Sequence, residues 1–360
     1  MSTPFRFLIA DLRNVIAFFR KAKKPSATPL EDYTLIVPIW GRFRILSFLK
    51  KRAKNTIFLT FKKANSERLK DQLKEFKKLG AKVIECKGNF KGNDDAKYHA
   101  TKECLESGHV KTKYVVLLDA DTFFRGNIGK VCGHMEKEDL DIVTVKVVPS
   151  QHSNLLERLQ KLEYRIAMRS RHYLPWQTSG ACIVSTTDAM HKIMESHSLY
   201  IRAGDGEIGF LAKIMKMKVG HMDFKVYTRV PSTVRSWFEQ RKRWWTGAFK
   251  HNVINVDKRI LHTPLQFVYM FVFLYLFYPL RWIGILFMPE WIPINLLIHI
   301  PIAIVCSYRK PSLATFLYPF YSFFKVHLLF LPIIGIVEWI RIWRKSKTTG
   351  RMRIKGGERK

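Results

Sequence analysis

Tyr114-Val115-Val116-Leu117-Leu118-Asp119-Ala120-Asp121-Thr122-Phe123-Phe124 is the stretch that decides how this 360-residue chain folds. Five apolar or aromatic residues lead into two aspartates one residue apart. The run is short, β-branched and without helical period, which predicts a strand buried on both faces. Carboxylates at the end of such a strand are costly unless they meet a cation. In open α/β sheets, ligands sit at the carboxyl ends of the strands. Asp-x-Asp there suits a divalent metal that bridges two phosphates, because hard cations take oxygen ligands and substrate phosphates complete the shell. The tripeptide alone also fits an ordinary loop, so its surroundings have to decide.

Those surroundings read as an α/β frame. Residues 34–39, 55–61 and 81–86 read as strands. Residues 66–79 place Leu69, Leu73, Phe76 and Leu79 at helical spacing with lysines between, and Gly80 closes the helix. Residues 96–107 look helical and end at Gly108. Strand, helix, strand, helix, strand predicts a parallel sheet with crossover helices. Further on, 140–148 reads as a strand, and 155–169 carries Leu155, Leu156, Leu159, Leu162 and Ile166 at helical spacing. Thr178-Ser179-Gly180 makes a small polar turn before another buried strand. Gly204-Asp205-Gly206-Glu207 puts two acids in a glycine-rich turn that opens a helix, where acids also serve as cap and dipole partners. The glycines form no Gly-x-Gly-x-x-Gly and no Walker loop, so the usual phosphate cradles are absent.

Composition limits the partners. Lys and Arg number 62 against 29 acids, a formal net charge of +33, which implies an anionic partner: nucleic acid, anionic lipid or a phosphorylated substrate. Five scattered cysteines without a Cys-x-x-Cys give no sign of a disulfide framework or a zinc site, and point to a reducing compartment. No secretory signal is visible, since Arg6, Asp11 and Arg13 break the N-terminal apolar positions. Phe5, Leu8, Ile9, Leu12, Ile16 and Phe19 instead recur at helical spacing, with Arg6, Arg13 and Arg20 on another face. This amphipathic basic helix suits a membrane interface; packing on the protein's own core is the plainer alternative.

The last third changes solvent. Residues 265–280 carry no charge, and 291–308 form an uncharged run of about the length that spans a bilayer. Arg309-Lys310 marks a cytoplasmic loop. Residues 313–324 and 326–337 are shorter apolar pieces bent by Pro319 and Pro332, either one kinked span or an interfacial helix plus a short span. The tail from 341 is strongly basic. Cations before 264, at 309–310 and after 341 place all three on the cytoplasmic side, which requires an even number of crossings. Just upstream, Gln240-Arg241-Lys242-Arg243-Trp244-Trp245 sets cations beside paired indoles. It is either a basic helix face at the membrane surface or a site that grips a pyrophosphate with Arg and stacks a sugar on Trp.

Taken in order, these pieces resemble the membrane-integrated family-2 glycosyltransferases, the processive polysaccharide synthase group that includes hyaluronan, cellulose and chitin synthases. The resemblance rests on Ile36-Val37-Pro38, Asp119-Ala120-Asp121, Asn154-Leu155-Leu156 with Leu162-Glu163-Tyr164, Thr178-Ser179-Gly180, Gly204-Asp205-Gly206-Glu207 and Gln240-Arg241-Lys242-Arg243-Trp244. The last matches the Gln-x-x-Arg-Trp signature of the processive members. It runs from about residue 34 to the end of the apolar region. It implies an α/β GT-A fold, a Rossmann-like nucleotide-binding half with an acceptor-binding half, followed by C-terminal transmembrane helices. The layout expected is a basic helix and linker at 1–29, the GT-A domain at 30–262, transmembrane or interfacial helices at 263–343 and a cytoplasmic tail at 344–360.

The resemblance also implies roles. Asp121 becomes the ligand of Mg2+ or Mn2+ on the donor diphosphate, with Asp119 near the ribose or the metal. Asp205 becomes the catalytic base. Gln240, Arg243 and Trp244 hold the diphosphate and the acceptor sugar, Thr178, Ser179 and Gly180 line the acceptor end, and Pro38 joins the substrate-binding set. Inverting transfer fits these roles, since one carboxylate must take the acceptor's proton and the leaving diphosphate must be neutralised. No covalent intermediate is needed, so Glu207 is left a structural role or that of positioning Asp205. The helix start predicts a low pKa for Asp205.

Three functions follow as expectations. The first is a processive synthase using a nucleotide-sugar, expected to be a UDP-sugar, at the cytoplasmic face of the plasma membrane, with secretion of the polymer. The second is single transfer to polyprenyl phosphate or another lipid acceptor. The third is a non-catalytic, basic membrane-surface protein. The partners expected are a nucleotide-sugar donor, a polysaccharide or lipid-linked acceptor and an anionic bilayer; membrane-proximal lysines account for the charge without nucleic acid. Three segments depart from the family pattern. Ile39-Trp40-Gly41-Arg42 replaces an Asn and an acid, Thr60-Phe61-Lys62-Lys63 replaces Asp-Gly-Ser, and Asn93 stands where a Lys is common. Recognition of the base therefore does not carry over.

Overall fold

The computed structural model describes residues 22–39, 45–61, 66–86, 93–171, 174–199, 204–268, 287–290, 293, 312–323, 337 and 340. The expected N-terminal helix, most of the apolar runs beyond 268 and the basic tail lie outside the described residues. Among the described residues no helix is long and apolar enough to cross a membrane.

The aspartate-bearing run is a strand, β4 (Tyr114–Leu118), and all of its residues are buried. Its side chains alternate between two cores: Tyr114, Val116 and Leu118 enter one, and Val115 and Leu117 the other. On one side of it lie β1 (Tyr33–Pro38), β2 (Thr56–Phe61) and β3 (Lys82–Cys86), in the order β3-β2-β1-β4 and all parallel. Helix α1 (Glu67–Lys78) begins at Ser66, whose hydroxyl accepts from the Leu69 amide at 3.3 Å. It buries Leu69, Leu73 and Phe76 against the sheet, each worth about 1.5–3 kcal/mol. Gly80, at φ 94°, then turns the chain in a conformation that costs other residues more. Helix α2 (Asn93–Glu106) crosses to β4 and is followed by Gly108 at φ 67°.

Beyond β4 the expectation of a parallel sheet fails. The remaining strands are β5 (Phe123–Phe124), β6 (Ile142–Pro149), β7 (Cys182–Thr186) and β8 (Val219–Thr228), and the order continues β4-β7-β6-β8-β5. β7 runs antiparallel to both β4 and β6, and β5 runs antiparallel to β8. The reason lies in the connection. Helix α3 (Gly129–Glu138) precedes β6; after β6 the chain enters α4 (Leu155–Ser170) and re-enters the sheet beside the carboxyl end of β4. Leu118 pairs with Cys182, and the Asp119 amide donates to the Ala181 carbonyl at 3.2 Å. A strand that starts where β4 ends has to run the other way. This reversal brings Ser179 and Gly180 next to the aspartates.

Helix α4 starts on a capping box: Asn154 accepts from the Glu157 amide at 2.9 Å while the Glu157 carboxylate accepts from the Asn154 amide. Among the elements that the sequence analysis does not name are α3, α5 (Thr187–Ser196) and β8. β8 buries Met222, Phe224 and Val226 on one side, but Asp223 and Lys225 between them leave no continuous apolar run. The chain continues through α6 (Asp205–Ile214), α7 (Val234–Ile254), α8 (Val256–His262) and α9 (Pro264–Val268). Helix α10 (Leu313–Phe323) packs on α4 through Ala314 and Tyr318 against Leu159 and Leu162.

Candidate active site

The carboxyl ends of β1 and β4 open into a cavity of about 470 Å³. Pro38, Asp119, Asp121, Ser179, Gly180, Asp205, Gln240 and Trp244 all line it, drawn from five separate parts of the chain. Two of the expected residues do not. Thr178 is buried behind the wall, where its hydroxyl donates to the Asp205 main-chain carbonyl. Arg243 is exposed and is not among the lining residues. The arginine of this motif that faces inward is Arg241, which is 2% exposed.

Lys97 is the site residue that sequence reasoning missed. It sits on α2, is 9% exposed, and places Nζ 2.5 Å from Asp119 Oδ1 and 3.0 Å from the Gly180 carbonyl. Asn93 stands where the resembled family commonly has a Lys, and Lys97 follows four residues later in the sequence. That spacing was the available signal. Gly180 is tied to this cation by space: a Cβ there would stand 3.3 Å from Lys97 Nζ and 3.5 Å from Asp205 Oδ2.

The acids are held out of water. Burial pushes the Asp121 carboxyl above its ordinary range, and the neighbouring Asp119 charge adds to this; the Thr122 hydroxyl and Lys97 oppose it. Burial likewise raises Asp205, against the pull of Lys97 and of the Gly180 amide, which donates to Oδ2 at 2.7 Å. This reverses the low pKa expected from a helix start. The cost of losing water outweighs the helix dipole here. A carboxylate raised in this way binds a proton more readily, which favours a base.

A sequence model described as glycosyl transferase family group 2 matches residues 114–340, more than half of the chain. The chain belongs to that family. No curated protein matches this glycosyltransferase by sequence. Among solved structures it is similar to the mannosyltransferase PcManGT from Pyrobaculum calidifontis in complex with GDP-Man and Mn2+. The identity is 13%, the match covers 94% of this chain and 95% of that one, and the TM-score is 0.53. Looser likenesses are glucosyl-3-phosphoglycerate synthase from Mycobacterium tuberculosis (10% identity, 63% and 80% coverage, TM-score 0.40) and S. aureus TarS in complex with UDP (12%, 89% and 92%, 0.39). The fold is thus α/β and GT-A-like, with a mixed sheet, as the resemblance implied.

In this glycosyltransferase the base candidate is braced from behind. Glu207, buried and outside the cavity lining, accepts from the Ser198 hydroxyl at 2.6 Å and from Asn255 Nδ2 at 3.1 Å. It fastens the first turn of α6 to the segment after α5 and to the α7–α8 junction. On the far side, Gly209 lets α6 touch the preceding loop directly, because a Cβ there would lie 1.8 Å from the Trp176 carbonyl oxygen. The opposite wall is built on Arg241. Its Nη2 reaches Glu163 Oε2 at 2.6 Å, the Tyr321 hydroxyl donates to the same oxygen at 2.9 Å, and Trp237 Nε1 donates to Tyr321 at 2.9 Å. The guanidinium lies 4.3 Å from the centre of the Trp244 ring and so fixes that indole in the wall.

The donor set for a metal is lean. Among the described residues no three His, Cys, Asp or Glu side chains converge as a metal cage. Among the described residues the Thr122 and Thr228 hydroxyls stand beside the Asp121 carboxylate at 3.3 and 3.5 Å, the limit of hydrogen bonding. A buried carboxylate so thinly matched, with Asp119 beside it, fits a hard cation that takes one or two protein carboxylates and fills its shell from phosphate and water.

Proposed function

We propose that this glycosyltransferase moves a sugar from a nucleotide-sugar, expected to be a UDP-sugar, to an acceptor hydroxyl with inversion. The observation that carries this reading is that Asp205 and the Asp119–Asp121 pair face one cavity from different walls, with Lys97 between them. The acceptor oxygen forms a bond to the anomeric carbon as the bond from that carbon to the diphosphate oxygen breaks. Asp205 takes the hydroxyl proton, and the electron pair of the broken bond leaves on the diphosphate. Lys97 holds Asp119 in place and adds positive charge beside the leaving group. Asp121, with Asp119, would hold Mg2+ or Mn2+, which when bound supplies charge neutralisation at the diphosphate.

The acceptor in this reading is the end of a growing polysaccharide. Support comes from Trp244, which lines the cavity, is 40% exposed and is backed by Arg241 and by the edge of Tyr164 at 6.3 Å. A fixed indole suits the apolar C–H face of a sugar that must be held between additions. Incubation with a panel of sugar nucleotides, followed by sizing of the product, tests this. Wild-type enzyme should give a ladder, and Trp244→Ala should give short products with unchanged nucleotide-sugar binding. Products that never pass one added sugar on any acceptor would leave single transfer to a lipid as the surviving reading.

The site of action in this proposal is the cytoplasmic face of the cell membrane. Supporting it are the apolar runs beyond residue 268 and the exposed Ile254, Ile260, Leu261, Leu265 and Val268 that lead into them. Activity should sediment with membranes after cell breakage. Full recovery of active enzyme in the supernatant without detergent would remove this part.

A further inference from the structure

Arg171 ends α4 and lines the cavity, yet the transfer chemistry above gives it no task. Among the described residues its guanidinium touches only the Met168 sulfur, 3.2 Å from Nη1, and the Thr178 carbonyl, 3.4 Å from Nη2. The first is a weak acceptor and the second contact is long. No ion pair with a described carboxylate holds it. An arginine carries five N–H donors and keeps its charge, so one in a cavity wall with so little to bind is matched to an oxyanion. Burial lowers its pKa to about 10, which still leaves it a cation at neutral pH, and the charge of Asp205 acts to raise it.

Its position tells which oxyanion. Arg171 bonds the carbonyl of Thr178, whose hydroxyl holds the main chain of Asp205. The carboxylate whose charge acts on its guanidinium is that of Asp205. It therefore stands on the side of the base, where this reading places the acceptor. Arg229, exposed after β8, lines the same cavity and adds a second guanidinium.

We propose that the acceptor carries an oxyanion, a carboxylate or a phosphate ester close to the attacking hydroxyl, and that Arg171 recognises it. This rests on the donor and base assignments made above. A bidentate contact to an anion fixes orientation as well as adding affinity, so it would aim one hydroxyl of the acceptor at Asp205. Carboxylate and phosphate share this geometry, and a lipid or a soluble sugar could present either.

The experiment compares wild type, Arg171→Gln and Arg171→Lys with three acceptors: a uronate-terminated oligosaccharide, a sugar phosphate and a polyprenyl-diphosphate-linked monosaccharide in detergent. Each is run beside its neutral counterpart. Binding of the free nucleoside diphosphate and hydrolysis of the nucleotide-sugar by water are measured in parallel. Wild type should prefer at least one anionic acceptor over its neutral partner, and the preferred pair names the source. Arg171→Gln should raise KM for that acceptor about ten- to hundredfold, as expected for loss of hydrogen bonds to a charged group, and Arg171→Lys should restore part of it. Nucleoside diphosphate binding and hydrolysis by water should stay within about threefold, which also shows that the variant is folded. Equal wild-type rates on anionic and neutral acceptors would overturn the proposal. So would loss of diphosphate binding in Arg171→Gln, which would move Arg171 to the donor, or an equal loss of hydrolysis and transfer, which would make it a partner of Asp205. A wild-type enzyme that binds no nucleotide and consumes no nucleotide-sugar would overturn the donor assignment, and this proposal with it.

Discussion

Asp205→Asn is expected to bind nucleotide-sugar normally and to lose about a hundred- to ten-thousandfold in transfer rate, the usual cost of removing a well-placed base. Asparagine can keep the oxygen that accepts from the Gly180 amide, so the turn before β7 stays in place. What it loses is the ability to take the acceptor's proton. The raised pKa of Asp205 adds a pH signature. In wild type the acid limb of the rate profile should lie above the ordinary aspartate value of 3.8, with activity falling as the pH drops through the raised pKa. Stability has the opposite sign. A carboxyl whose folded pKa exceeds its unfolded value binds more protons when folded, so stability decreases as pH rises from the unfolded pKa through the folded one. The amide does not titrate, and Asp205→Asn should therefore melt no lower than wild type near neutral pH. Parallel measurement of kcat, nucleotide affinity and Tm separates these effects. Near-normal turnover in Asp205→Asn, with Glu207→Gln inactive, would mean the acids are reversed.

Asp121→Asn should abolish transfer, and chelator should do the same to wild type until Mg2+ or Mn2+ is restored. Asp121 is a buried acid next to another acid, with two hydroxyls at the edge of hydrogen-bonding range. Removing its charge relieves repulsion in the free protein, so the fold should hold or gain. The same change removes a ligand position for the cation that neutralises the diphosphate. Melting with and without Mn2+ gives a readout beyond activity: the metal should raise the Tm of wild type in the presence of nucleoside diphosphate and leave Asp121→Asn unmoved. Undiminished turnover in excess chelator would sink the metal assignment.

Much of this arrangement is visible in the sequence where the signal is local. The double burial of β4, the glycine stops at 80 and 108 and the Asn154–Glu157 box all belong to short windows. The α/β pattern and the order of motifs carried the fold and the family. The parallel run of β1 to β4 is legible in the alternation of strands and helices, but the reversal at β7 is not, because side-chain alternation records which side is buried and says nothing of which way the chain runs. That Arg241 rather than Arg243 is the buried arginine is not legible either, because its partner, Glu163, lies 78 residues away in the chain. Lys97 and Arg171 come from helices whose packing alone brings them to the aspartates. The pKa of Asp205 has the opposite sign from its local prediction because a helix start is written in four residues and burial is not.

Glu163 and Tyr321 meet across 158 residues of chain, and their shared oxygen is also the one that binds Arg241. This contact imposes an order of assembly. On the ribosome Glu163 and Arg241 emerge long before Tyr321, and the apolar run from 269 onward is made in between. The buried charge pair must then wait, its third partner still unmade, until that run has been delivered to wherever it resides. Maturation of the cavity wall is thereby tied to the late stages of translation, and a nascent chain paused after Trp244 would carry Asp119, Asp121 and Asp205 without the finished wall opposite them.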